Sequence, residues 1–488
     1  MIGLTEMINK VISLGAEKRM TDLEFIEAEL SKWLSSSERQ MMIDGERYYN
    51  GDHDILDKTR TYKYNGSEVV VEGLPNNRIV DNQYRKMVIQ KTNYLLGKPL
   101  TVTTDNDDYQ DSINKIFNRR FDRMLKAVLR DAINGGKTWL FVGLDENGKL
   151  KLRNFKPYEV KPFWADAEHT ILDCAVRIYP VCTYEGTTEK IVEKVEIFDS
   201  EGIHYFERSD KGRLVKVEPY DEPYITISVD DNIEGFNWSR IPLICCKYNE
   251  SELPLIKAVK SLQDGINKIE SAFEDNMEED ARNTILVLVN YDGQDLAEFR
   301  KNLATYGAVK VRQDGGGGGG DVKTLQVAVN ADNYRTILKI FKEALVENAM
   351  GYDAKDDRLS GNPNEMNIQS MYSDIDIDAD NMELELQAAL EELMWFVNCH
   401  LANTGSGDWS DEYVEFTFNR NTRVDEAGKI ANIRNSLGIV SQETLLANHP
   451  YVDDVKDEIE RLAEERQAAV DDMGFKRRTD SNGEEIDE

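Results

Sequence analysis

The sequence has 488 residues, of which 40% are hydrophobic and 31% charged, and 91 Asp and Glu against 59 Lys and Arg give a formal net charge of −32. This composition is typical of a soluble globular protein with about three structural units, and the apolar runs are too short for a membrane span. The acidity argues against a gene regulator or DNA-modifying enzyme, because such a surface repels phosphates.

The first part of the chain predicts amphipathic helices. A capping box, Thr21-Asp22-Leu23-Glu24, begins a helical pattern over residues 21–49. Further helical patterns cover about 79–96 and 109–134, and a polar loop through Gly51 and Gly66 precedes the first of these. The N-terminus has no basic segment followed by an apolar stretch, so we expect the chain to be made and assembled in the cytoplasm.

From Thr138 the periodicity changes to the alternation of β-strands. Two strand-like runs flank Asn147-Gly148, a dipeptide typical of tight hairpins. Polar turns separate the later runs, which predict an antiparallel meander; the runs lie at 138–144, 149–154, 171–179, 191–198, 203–207 and 213–218. The first 250 residues or so therefore predict an α+β body.

The second half predicts long helices around a small insertion. After Pro254, apolar residues alternate at spacings of four and three as far as Phe273, as in a helix packed lengthwise on others. A strand, helix, strand segment at 284–328 contains six consecutive glycines. The remaining predictions are a helix at 331–350, a polar loop at 352–364, a long helix to about Leu401, a strand at 413–418, helices near 424–436, 441–447 and 450–470, and a disordered end.

Several stretches carry a resemblance to a known family. They are Tyr48-Tyr49-Asn50-Gly51-Asp52-His53-Asp54-Ile55, Asn76-Asn77-Arg78-Ile79-Val80-Asp81-Asn82, Tyr94-Leu95-Leu96-Gly97-Lys98-Pro99, Pro254-Leu255-Ile256, and Gly438-Ile439-Val440-Ser441-Gln442-Glu443-Thr444-Leu445-Leu446. With the order of elements, they resemble the portal proteins of long-tailed phages or prophages of Gram-positive bacteria, over residues 25–470. None of these stretches is a catalytic signature.

The resemblance implies a ring at one capsid vertex, expected to be a homododecamer, through which double-stranded DNA passes without sequence-specific binding. It implies as partners the large terminase, head-completion or adaptor proteins, and the major capsid and scaffolding proteins, with no cofactor and no membrane. The implied parts are an N-terminal extension (1–24), a wing (25–252), stem helices (253–282 and 331–350), a clip (283–330), a tunnel loop (351–364), a wing helix (365–402), a crown (403–470) and a disordered tail (471–488).

Acidic side chains are expected to line such a channel, because cations that held phosphates would retard sliding. Between Asp353 and Glu392, twelve Asp and Glu stand against Lys355 and Arg358, although an acidic helix face unrelated to a channel remains an alternative. The predicted site residues are Lys355, Asp356, Asp357, Arg358, Ser360 and Asn362 in the tunnel loop, Glu274, Asp275, Glu278 and Glu279 in the stem lining, and Asp321 and Lys323 as clip contacts. Lys355 and Arg358 either touch phosphates transiently or are ordinary loop charges.

Three motifs suggest ligand chemistry, and each lacks a required feature. The run 374–380 spaces carboxylates like a calcium loop but has Ala379 where the turn requires Gly. Lys137-Thr138 follows two glycines and a helix, and the glycine run precedes a strand, so neither fits a phosphate loop. The five histidines are dispersed and the five cysteines lack CxxC spacing, which favours reduced thiols.

We therefore name no catalytic, cofactor or metal residue and expect no enzyme. Two alternatives remain: a metal-dependent nuclease or phosphotransferase using the Asp374–Asp380 cluster, or a ring or adaptor protein of another system.

Overall fold

A computed structural model describes residues 21–64, 67–70, 75–229, 232–280, 285–289, 321–325, 331–353, 365–420, 426–449, 451–452 and 455–472. The chain divides into two compact units, the first comprising residues 1–351 and 375–421 and the second 352–374 and 422–488. The predicted α+β class is confirmed: helices and antiparallel sheets alternate in blocks along the chain. Among the described helices, none has the length and apolar character needed to cross a membrane.

The N-terminal pattern forms two helices instead of the single helix predicted. Helix α1 (Asp22–Leu34) begins with the predicted capping box, in which Thr21 and Glu24 each bond the other's backbone N–H. Helix α2 (Ser37–Asn50) begins anew because the Ser36 hydroxyl accepts a hydrogen bond from the Arg39 N–H. Gly51, with φ of 95°, ends α2 in the left-handed region that glycine favours.

The next region also departs from the prediction. The predicted polar loop contains a hairpin of β1 (Thr61–Tyr64) and β2 (Ser67–Val70). Helix α3 (Gln83–Leu96) and strand β3 (Thr101–Thr103) follow. The helix predicted at 109–134 is again two helices, α4 (Asp107–Ile116) and α5 (Arg119–Gly135), because Asn118 caps a new start through the Arg120 N–H.

Two antiparallel sheets form the β body, and the predicted hairpin and meander are confirmed. The first has the order β13-β4-β5 and the second β10-β9-β8-β7-β6. Apolar residues of α1, including Phe25, Leu30 and Trp33, pack with Val176 and Ile197 of the second sheet. The strands are β4 (Lys137–Leu144), β5 (Leu150–Phe155), β6 (Val160–Trp164), β7 (Leu172–Glu185), β8 (Thr188–Asp199), β9 (Gly202–Arg208), β10 (Leu214–Glu222), the paired β11 (Ile225–Val229) and β12 (Asn232–Phe236), and β13 (Leu243–Lys247).

The second half contains the predicted long helices. In chain order its elements are α6 (Ile256–Asp280), the paired β14 (Ile285–Val289) and β15 (Asp321–Leu325), α7 (Ala331–Asn348), α8 (Glu365–Asn403), β16 (Glu415–Thr417), α9 (Glu426–Asn435), α10 (Gln442–Ala447) and α11 (Val455–Asp472). Strand β16 pairs with β3. The predicted helix between β14 and β15, the glycine run and the chain end lie outside the described residues.

Candidate functional site

Helices α6 and α7 lie side by side, as the heptad spacing of α6 predicts. The Phe273 and Tyr334 rings are 4.9 Å apart, and the Asn276 amide donates a 2.8 Å hydrogen bond to the Tyr334 hydroxyl. Farther along, a Cβ at Gly265 would lie 2.5 Å from the Phe341 ring. Residues early in α7 therefore meet residues late in α6, so the two helices are antiparallel.

One face of α6 carries a ladder of polar side chains that hold another segment of the backbone. Four residues spaced four apart accept hydrogen bonds from backbone N–H groups of residues 77–84: Gln263 from Tyr84 at 2.9 Å, Asn267 from Asp81 at 3.1 Å, Ser271 from Ile79 at 2.9 Å and Asp275 from Asn77 at 2.6 Å. The first three are fully buried. The ladder fixes this segment along the helix, because it supplies acceptors to four backbone N–H groups that are partly or fully buried.

The four residues predicted to line a channel from α6 occupy different environments. Asp275 is buried and accepts a 2.8 Å hydrogen bond from the Lys58 ammonium. Burial alone would raise the pKa of Asp275, but the bonds from Asn77 and Lys58 lower it below its usual value. Glu274 and Glu278 are exposed, whereas the side chain of Glu279 lies outside the described residues. Asp275 is thus engaged inside the chain, whereas Glu274 and Glu278 are exposed, and Glu278 accepts a 3.3 Å hydrogen bond from the neutral Asn77 amide.

The acidic run at the start of α8 is helical and held by partners from three directions. The Asp378 carboxylate lies 2.6 Å from the Lys91 ammonium and accepts a 3.1 Å hydrogen bond from the Tyr248 hydroxyl. Asp376 accepts a hydrogen bond from Tyr94, and Asp380 pairs with Arg420 at 2.5 Å. A calcium loop would need a turn at Ala379, where the chain is helical. Within the described ranges, no group of three His, Cys, Asp or Glu side chains is placed to hold a metal ion.

Lys91 holds two parts of the first unit together. Its side chain is fully buried, and its ammonium donates a 3.2 Å hydrogen bond to the Met350 carbonyl besides pairing with Asp378. The first unit's chain leaves after Gly351 and returns at Ile375. Met350 and Asp378 flank these two points, so one lysine of α3 anchors the first unit on both sides of the excursion. Burial lowers the pKa of Lys91, and Asp378 opposes this effect.

The Gly135-Gly136-Lys137-Thr138 motif has an internal structural role, as its mismatch with a phosphate loop predicts. A Cβ at Gly136 would lie 2.1 Å from the Glu252 carbonyl oxygen, and Gly136 has φ of 81°. The buried Lys137 ammonium pairs with the Glu252 carboxylate at 2.5 Å. The Thr138 hydroxyl donates a 2.9 Å hydrogen bond to the Phe155 carbonyl. The motif therefore joins β4 to the segment that precedes α6.

The remaining predicted site residues are placed only in part. Lys355, Asp356, Asp357, Arg358, Ser360 and Asn362 lie outside the described residues. Asp321 and Lys323 lie on β15, where they are the register partners of Val289 and Val287. The boundaries of wing, stem, clip, tunnel loop and crown stay predictions.

A family model described as phage portal protein, SPP1 Gp6-like, matches residues 35–472. The chain belongs to this family of phage portal proteins. It is 28% identical to the portal protein of Bacillus phage SPP1, covering 96% of this chain and 92% of the relative. It is 24% identical to the portal protein of Clostridium phage phiCD119, covering 91% of this chain and 96% of the relative. The predicted family is confirmed.

A solved structure described as the neck of a native GTA particle computed with C12 symmetry covers 75% of this portal protein and 88% of its own chain. The TM-score is 0.35 and the identity 14%. Family membership makes this portal protein a structural component of the virion, located at a capsid vertex, where portal subunits assemble into an oligomeric ring.

Sequence reasoning missed the residues that hold the α6 and α8 contacts together. Lys58, Lys91 and Tyr248 stand in no motif, and Tyr94 begins one of the family stretches, where nothing indicated its contact with Asp376. The sequence does contain one indication of the ladder. Polar residues recur every four positions along α6, beside its regular apolar seam, and therefore lie on one face of the helix.

Proposed function

We propose that this portal protein forms a homododecameric ring in which the α6 and α7 stem surrounds passing double-stranded DNA. The observation that carries the proposal is the contrast along α6: Asp275 is neutralised by Lys58, whereas Glu274 and Glu278 expose carboxylates without an ion pair to any described residue. Repeated around a ring, those exposed charges repel the phosphates, so DNA slides without sequence-specific binding.

The same proposal assigns the packaging partners to the β14 and β15 hairpin. Asp321 and Lys323 lie two residues apart on β15. The large terminase would bind the hairpin at these positions during packaging, and head-completion or adaptor proteins would replace it afterwards. Scaffolding and major capsid proteins would surround the ring as it assembles in the host bacterial cytoplasm. The portal itself has no enzymatic activity in this proposal, and the terminase supplies the energy.

A charge reversal in the stem tests the channel role. In the Glu274→Lys/Glu278→Lys variant, we expect rings of normal appearance by electron microscopy but slower DNA packaging, with a larger defect at low salt. The matched control is Glu146→Lys/Glu201→Lys, which makes the same charge change at exposed hairpin turns. Packaging at the normal rate by the stem variant, with intact rings, would contradict the proposal.

A photocrosslinking experiment tests the terminase surface. A photoreactive amino acid replaces Asp321 or Lys323 in turn, and a third variant carries it at Lys211, in the turn between β9 and β10. We expect crosslinks to the large terminase from the β15 positions and none from the control. Equal crosslinking from all three positions, or none from β15, would remove the hairpin as the docking surface.

A further inference from the structure

A basic surface runs along α3 and α5 of this acidic protein. It consists of the exposed Lys86 on α3 and, on α5, the exposed Arg119, Arg120 and Arg123 with the half-buried Lys126. The two helices are antiparallel: Tyr84 donates a 2.8 Å hydrogen bond to Asn134 near one end, and Lys126 donates a 2.5 Å bond to Asn93 towards the other.

The helical spacing places four of these cations on adjoining faces, and Arg120 stands beside them on α5. Lys86 stands two turns before Asn93 on the same side of α3. Arg123 and Arg119 stand one and two turns before Lys126 on the same side of α5. The bond between Asn93 and Lys126 joins the two stripes into one surface. At its far end, the guanidinium groups of Arg85 and Arg130 lie over the ring of Tyr49, at 5.3 and 5.8 Å from its centroid.

Within the described part of the chain, the basic surface has no counter-ion. Among the described residues, no carboxylate lies within ion-pair distance of Lys86, Arg119, Arg120 or Arg123, and Lys126 bonds a neutral amide. Buried and half-buried cations elsewhere, such as Lys91, Lys137 and Arg420, each meet a carboxylate. Arg119 and Arg120 are also the first residues of α5, where the helix dipole disfavours cations. An unfavourable local arrangement without internal compensation is typical of a binding surface.

We propose that the basic surface binds an acidic surface of the neighbouring copy of this chain in the ring, an inference that rests on the ring assembly of the proposed function. Subunits with a net charge of −32 repel one another when they are placed side by side. A closed ring joins two different surfaces of the same chain at every interface. Five cations on one side can therefore meet carboxylates on the other, which offsets the repulsion and fixes the register of the contact.

A charge-reversal variant tests the interface. The Arg119→Glu/Arg123→Glu variant should need a roughly tenfold higher protein concentration to form rings than the wild type, measured by mass photometry and native mass spectrometry. The control Lys149→Glu/Lys211→Glu makes the same charge change at exposed turns and should assemble like the wild type. Circular dichroism checks folding, and if the reversal does not fold, Arg119→Gln/Arg123→Gln takes its place with a smaller shift in the same direction. Normal assembly of a folded variant would overturn the inference.

Crosslinking identifies the occupant. Zero-length carbodiimide crosslinking of rings assembled from equal amounts of 14N- and 15N-labelled chains should yield mixed-isotope links from Lys86 or Lys126 to carboxylates. Links confined to single chains would overturn the inference. So would intact rings of the charge-reversal variant that bind double-stranded DNA more weakly than the wild type, since the partner would then be nucleic acid. Failure of the wild-type chain to form any ring would instead overturn the proposed function, and this inference with it.

Discussion

The Lys91 ammonium and the Asp378 carboxylate form a 2.6 Å ion pair between α3 and α8, although 287 positions separate them in the sequence. The lysine side chain is fully buried, and its second bond reaches the Met350 carbonyl. Through these two bonds, Lys91 of α3 links the residues just after α7 to the start of the first unit's part of α8. The acidic run at 374–380, which the sequence suggested as a metal or channel site, thus contributes Asp378 to an ion pair inside the first unit.

Replacing Lys91 by Met should destabilise the first unit by about 3–5 kcal/mol, because Asp378 would remain buried without its cation. Thermal unfolding would measure the loss, and hydrogen exchange should increase at residues 345–351 and 375–380. The control Lys257→Met removes an exposed lysine of α6 and should change little. The double variant Lys91→Met/Asp378→Asn should recover part of the loss. An unaltered melting temperature for Lys91→Met would show that the pair does not support the fold.

Removal of one hydroxyl from the ladder on α6 should lower the free energy of unfolding by less than the loss of Lys91 does. Ser271→Ala removes the 2.9 Å acceptor of the partly buried Ile79 N–H, and losing this hydrogen bond should cost about 0.5–1.5 kcal/mol. Ser261→Ala, on the exposed side of the same helix, is the matched control. Urea unfolding of the two variants should separate them by this amount. Equal stability would mean that water replaces the lost acceptor.

Glu392 should make stability depend on pH. Burial raises its pKa from 4.5 to about 7, with Arg240 opposing the shift. The folded state therefore holds the proton more tightly than the unfolded state, and this contribution is fully present below about pH 4.5 and lost as the pH rises through about 7. At about 1.4 kcal/mol per pKa unit, the change amounts to at most about 3.5 kcal/mol.

Glu392→Gln removes that dependence. Relative to the wild type, the variant should gain melting temperature between pH 5 and pH 8, since the wild type must ionise a buried carboxyl over this range. Glu391 is exposed on the same helix, so the melting temperature of the Glu391→Gln variant should change with pH as that of the wild type does. Parallel curves for both variants would refute the raised pKa.

The cations predicted in the tunnel loop have a separate test. Lys355→Ala with Arg358→Ala should alter genome retention or packaged DNA length while leaving ring assembly intact, because the two residues are the exceptions in a strongly acidic stretch. Packaged length by gel electrophoresis and genome leakage on heating are the measurements. Unchanged values for both would leave ordinary loop charges as the explanation.

Local sequence patterns located the long helices and the hairpin at Asn147-Gly148. They did not reveal where two of the predicted helices are interrupted, although the residues that interrupt them are also visible in the local sequence. Ser36 and Asn118 are good helix caps, and each divides a helix predicted as continuous. Asn65-Gly66 stands in the sequence between β1 and β2, in a region predicted as a loop. It is the same dipeptide that predicted the hairpin at Asn147-Gly148. The apolar periodicity continues across Ser36 and Asn118, so periodicity alone predicts one helix where the structure has two.

The sequence by itself determined the α+β class, the positions of the long helices and the meander, and the portal family, because periodicity, turn residues and motif order are properties of neighbouring residues. The tertiary structure decided which acidic residues are available to a partner. In the sequence, Asp275 and Asp378 cannot be told apart from acidic residues such as Glu274 and Glu278. In the fold, Lys58 contacts Asp275 and Lys91 contacts Asp378, each from more than 200 positions away. A buried charge is stable only beside its counter-ion, and only the folded chain brings such distant groups together.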